Sequence, residues 1–147
     1  MTTPAKSLTV DQRRLVRDSF ESVRSMAGPV GLLFYGRLFE LAPEVRPMFH
    51  NDLDLQIRKL MDMLSSVVES LDHFESVRPK LEGLGRQHAG YGVRAEQYEV
   101  LTSALLWTFS KALGADFDDR TSAAWRNALG AISEAMKSRA YPPTSGL

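Results

Sequence analysis

His88 occupies the position in this chain that bears most directly on chemistry. Leu81, Leu84 and His88 stand at i, i+3 and i+7, which puts one imidazole on the stripe that a helix turns inward. An inward imidazole needs a partner for each nitrogen. It is either a core histidine bonded to a backbone carbonyl or a ligand to iron, which takes a neutral imidazole through one nitrogen while a nearby carbonyl fixes the other N–H. Spacing alone leaves both open. Two further polar residues sit among apolar ones. Gln56 shares a helical face with Leu60, Met63 and Val67, and Tyr35 ends the run Leu32-Leu33-Phe34-Tyr35. A polar group on an apolar face wants a partner or a ligand. For Tyr35 the choice is a core hydroxyl bonded to a carbonyl or one offered to a bound molecule.

Other chemistries lack support. The chain has no cysteine, which excludes disulfides, thiolate nucleophiles, iron–sulfur clusters and thiolate zinc sites and suits a reducing compartment. His50 follows Phe49 in a corner and His73 follows the long helix. Both read as exposed, and neither has a histidine or carboxylate at metal-ligand spacing, so zinc and di-iron sites have no basis. Gly83, Gly85, Gly90 and Gly92 do not make a G-x-G-x-x-G loop and follow no strand. Eighteen basic residues balance eighteen acidic ones, so no global field draws a polyanion or an anionic membrane. Nucleic acid and membrane are not expected as partners. The opening MTTPAKSLTV lacks a signal-peptide apolar stretch, and no run approaches the ~20 apolar residues of a membrane span. A cytoplasmic protein is expected.

The elements that must position these residues are helical. Thr9 and Gln12 form a capping box before a first helix from about Val10 to Met26, with Val16, Phe20 and Val23 on one face and Arg13, Arg14 and Arg17 reading as a solvated face. Pro29 suits the first turn of a second helix carrying Tyr35, Leu38 and Phe39. Pro43 and Pro47 bracket a turn ending at Met48-Phe49. A long amphipathic helix begins near Leu53, with Ile57, Leu60, Met61, Leu64, Val67, Val68 and Leu71 at helical spacing. Pro79 opens a shorter helix through His88, and two closing helices run from about Ala95 to Leu113 and from Asp118 to Arg139. No period-2 strand pattern persists, so the class is all-α. The expected layout is an N-terminal extension at 1–9, one domain at 10–141 and a flexible tail at 142–147.

Phe34-Tyr35-Gly36-Arg37-Leu38-Phe39, then Pro43, Phe49, Gln56 with Leu60, Leu84-Gly85-Arg86-Gln87-His88, Tyr98 and Trp125 together resemble a bacterial globin over nearly the whole chain. The similarity is to single-domain globins akin to the heme domain of flavohemoglobins, and to thermoacidophile and neuroglobin-like members. It implies an eight-helix fold around heme b. His88 would be the proximal iron ligand, Phe49 the phenylalanine stacked on the porphyrin, and Tyr35 and Gln56 the distal pair, with Leu60 as apolar wall. Met63, Leu84, Val93 and Tyr98 would complete the heme contacts. Gln56 stands where oxygen carriers of vertebrates place a histidine, so the resemblance implies five-coordinate ferrous iron. The carboxylate that flavohemoglobins place on the last helix beside the residue matching Tyr98 has no counterpart, that register falling at Pro142.

The resemblance implies high-affinity, reversible binding of dioxygen, with nitric oxide and carbon monoxide as further ligands, by a monomer. Oxygen transport or storage, nitric oxide dioxygenation with an external reductase, and gas sensing through a partner are the competing roles. Arg58, Lys59 and Arg86 read as solvated positions, the alternative being a reach to the heme propionates.

Overall fold

The computed structural model describes residues 8–49 and 52–141. The expectations for His50, for residues 1–7 of the extension and for the 142–147 tail lie outside the described residues.

Helix α1 runs Val10–Ser25. The Thr9 hydroxyl accepts from the Gln12 backbone N–H at 3.0 Å while the Gln12 side-chain oxygen accepts from the Thr9 N–H at 3.1 Å. Two of the donors that a helix start leaves unpaired are thus satisfied reciprocally. Helix α2, Ala27–Leu41, begins directly after Met26 with Pro29 in its first turn, where a missing N–H costs nothing. A 3-10 turn, Pro43–Met48, leads to α3, Leu53–Glu69. A second 3-10 turn, Leu71–Ser76, leads to α4, Arg78–Gly90. Then come α5, Gln97–Leu113, a short 3-10 turn, Gly114–Asp116, and α6, Asp119–Ala140, capped by Asp118. Among the described residues there are thus six α-helices and three 3-10 turns, with no strand.

The core has two parts. One is aromatic and solid: Trp125 packs at 4.6 Å from Phe109 and 6.2 Å from Phe20, centroid to centroid. Its indole N–H donates to the Ser19 hydroxyl at 2.8 Å, which satisfies the one polar atom that burying a tryptophan strands. The other part opens into a cavity between α2, α3, α4, α5 and α6. Close helix approach shapes its edges. A Cβ built on Gly31 would sit 2.5 Å from the Ile57 side chain, so only glycine lets α2 and α3 cross this tightly.

One expectation, the extent of the long helix, needs correcting, and two others gain detail. Arg13 and Arg17 stay partly exposed, and both also grip Asp72 on the Leu71–Ser76 turn, at 2.9 and 2.8 Å. Leu71 belongs to that turn and not to the long helix, which ends at Glu69. Leu32 and Leu33, read as part of an apolar run, are exposed, whereas Phe34 and Tyr35 point inward. A helix rotates each successive residue by about 100°, so a run of four cannot all face the core.

Candidate functional site

The cavity has a volume of about 440 Å³ and mostly apolar walls. His88 lines it from α4, half-buried. Its Nδ1 lies 2.7 Å from the Leu84 carbonyl oxygen, one turn earlier. A carbonyl only accepts, so a proton sits on Nδ1, and in the neutral imidazole Nε2 carries the lone pair. The core-histidine reading and the ligand reading therefore share this hydrogen bond. What separates them is that the second nitrogen belongs to a side chain on the cavity wall and makes no hydrogen bond among the described residues.

Tyr35 and Gln56 line the same cavity from α2 and α3. Tyr35 is buried, and burial pushes its hydroxyl pKa well above the ordinary tyrosine range, so it stays a protonated donor. That proton goes to the Gln56 backbone carbonyl over a long 3.3 Å. The Gln56 side-chain amide makes no hydrogen bond among the described residues. Phe49, half-buried, meets Tyr35 and Phe39 edge-on, each at 5.4 Å. Leu60, Met63, Leu84, Val93 and Tyr98 also line the cavity, so all nine residues singled out from sequence meet at one place.

Tyr98 is buried with its hydroxyl unpartnered among the described residues, and burial raises its pKa strongly. Beside it stands Tyr141, 6.1 Å away ring to ring, whose hydroxyl donates to the Val93 carbonyl. An aromatic neighbour, not a carboxylate, occupies this end of α6. Lys59 reaches the lining, but Arg58 and Arg86 are exposed and outside it.

Several lining residues carried no signal in the sequence. Gln97 is 4% exposed, although a polar residue in the first turn of a helix reads as a solvated cap. Thr102 and Ser133 line the interior 3.4 Å apart, hydroxyl to hydroxyl. Their place on the wall depends on how α5 and α6 face each other, which no local pattern encodes.

The Globin family model matches residues 32–136. This chain is a globin. Neuroglobin-1 of Oncorhynchus mykiss is 26% identical over 145 residues, covering 89% of this chain and 91% of that protein. Neuroglobin of Chaenocephalus aceratus is 27% identical over the same shares. Among solved structures, an engineered carbene transferase derived from a Rhodothermus marinus protein named for nitric oxide dioxygenase activity aligns with a TM-score of 0.81. It is 25% identical, and the match covers 91% of this globin and 94% of that chain. A bacterial globin from Campylobacter jejuni aligns with a TM-score of 0.80 at 23% identity, covering 90% and 96%. Heme binding and the binding of gaseous ligands such as dioxygen come with the family. The donor set agrees: an apolar slot holds one imidazole with its Nδ1 proton fixed and its Nε2 lone pair free, which is what heme iron takes from a protein. No described helix is long and apolar enough to cross a membrane.

Proposed function

We propose that this globin holds heme b through His88 and binds dioxygen reversibly and tightly beneath Tyr35 and Gln56. The observation that carries the reading is the His88 Nδ1 contact with the Leu84 carbonyl in the same cavity that Tyr35 and Gln56 line. When bound, heme supplies the ferrous iron on which a diatomic gas is taken up.

The chain's own groups do the rest. The Leu84 carbonyl holds the imidazole in one tautomer and adds to its basicity. Phe49, Leu60, Met63, Leu84, Val93 and Tyr98 give apolar walls that exclude water. Gln56 offers an amide with no other partner among the described residues. Tyr35 can turn its proton away from the Gln56 carbonyl at small cost, because a 3.3 Å bond is near the long limit. Donors aimed at this side favour a ligand that gains negative charge over neutral carbon monoxide, each by about 1–3 kcal/mol. Two such donors imply slow release of dioxygen.

A second reading, nitric oxide dioxygenation, draws support from the likeness to the Rhodothermus marinus derivative. It requires electrons from a reductase. In either reading the working domain spans 10–141 and acts as a cytoplasmic monomer. Rapid mixing of the dioxygen-loaded protein with nitric oxide separates the two. Stoichiometric nitrate sustained by an added reductase selects the enzyme, and a single turnover without sustained nitrate selects the gas carrier.

A further inference from the structure

Gln97 is a buried polar side chain on the cavity wall, and both ends of its amide are bonded. Its oxygen accepts from the Arg94 N–H at 2.8 Å and its nitrogen donates to the Glu44 carboxylate at 3.3 Å. Arg94 closes the ring, since its carbonyl accepts from the Gln97 N–H at 3.0 Å. Glu44 lies on the Pro43–Met48 turn that leads into Phe49. Arg94 lies in the corner after His88, where the Val93 N–H donates to the His88 carbonyl at 3.0 Å. The same two segments touch a second time. Gly92, at φ +99°, packs so that an added Cβ would meet the Met48 methyl carbon at 3.7 Å.

We infer that Gln97, held by Glu44, is a positioning residue that straps the corner after His88 to the turn before Phe49, so that the two sides of the cavity hold one spacing. The inference rests on the heme reading above for its functional meaning. A bonded buried amide fixes geometry because losing either partner strands a polar group away from water. Gln97→Leu strands the Arg94 N–H and frees Glu44, whereas Glu44→Gln keeps an acceptor oxygen in place.

The test compares Gln97→Leu, Glu44→Ala, their combination and Glu44→Gln. In the heme-loaded protein, transfer of hemin to excess apomyoglobin speeds up about tenfold in Gln97→Leu and nearly as much in Glu44→Ala. The double variant is no faster than the quicker single, since the two residues act through one bond, and Glu44→Gln returns to the parent rate. The iron–imidazole stretching frequency, which reports on His88, shifts in Gln97→Leu, in Glu44→Ala and in their combination, and not in Glu44→Gln. Unchanged hemin transfer, additive singles, or a Glu44→Gln no better than Glu44→Ala overturns the inference. Hydrogen exchange at the Arg94 amide in the purified protein reads the strap without heme: it is about tenfold faster in Gln97→Leu than in the parent, and equal rates overturn the strap. A chain that takes up no hemin yet shows this exchange difference overturns the heme reading instead.

Discussion

A Cβ added to Gly85 would lie 1.8 Å from the backbone oxygen of Met136, so α4 rests on the bare backbone of α6 three residues before His88. The position of the imidazole is therefore set by helix-on-helix contact that only glycine permits. Gly85→Ala must push the two helices apart, at a cost of about 1–3 kcal/mol, and displaces His88 with them. Gly83→Ala on the same helix meets only the end of the Arg86 side chain, at 3.9 Å, and gains about 0.5–1 kcal/mol from helix propensity. Urea denaturation of both variants checks the opposite signs.

Tyr35→Phe removes one distal donor and keeps the edge-on aromatic contacts with Phe34 and Phe49. Dioxygen dissociation is expected to rise about tenfold or more, and carbon monoxide dissociation to change much less. Stopped-flow ligand replacement measures both. Equal effects on the two gases would show that the hydroxyl acts through shape and not as a donor.

Burial raises the Tyr35 and Tyr98 pKa values in the folded chain above the ordinary value of 10.0. Above that pH the unfolded chain releases protons that the folded chain retains, so unfolding gains. The stability these groups contribute is fully present below about pH 10 and is lost as pH rises beyond it. The variants Tyr35→Phe and Tyr98→Phe should flatten this alkaline decline, as followed by urea midpoints between pH 8 and 11.

Arg17 and Arg13 hold the Asp72 carboxyl below its usual range. A depressed carboxyl stabilises the fold above its unfolded pKa, and that contribution disappears as pH falls through the folded value. Asp72→Asn should lower the thermal midpoint at pH 7 and approach the parent as pH falls below the ordinary aspartate range, the difference also shrinking in high salt because the ion pairs are exposed.

How far the sequence carried this account depends on the range of each signal. Thr9 with Gln12, Pro29, and the spacing of Ile57, Leu64 and Val67 are local patterns, and they located helix starts and faces because capping and amphipathicity are local physics. His88, Tyr35 and Gln56 were visible as polar residues among apolar neighbours. Gln97, Thr102 and Ser133 were not, since their place on the cavity wall follows from contacts made 53 and 31 residues away. The pairing of Asp72 with Arg13 and Arg17 was hidden for the same reason: like-charged residues one turn apart look solvated until a distant carboxylate arrives. The orientation of the Tyr35 proton toward the Gln56 carbonyl lies beyond sequence altogether, because it is decided by the crossing of α2 and α3.

The most direct measurement is the absorption spectrum of the hemin-loaded protein in the ferric form, after anaerobic reduction and on exposure to dioxygen, taken in parallel for His88→Ala. The account predicts a five-coordinate high-spin ferrous spectrum that converts on dioxygen to a stable new form, with both lost in His88→Ala. A six-coordinate ferrous spectrum, or a His88→Ala variant that binds hemin and dioxygen like the parent, contradicts it.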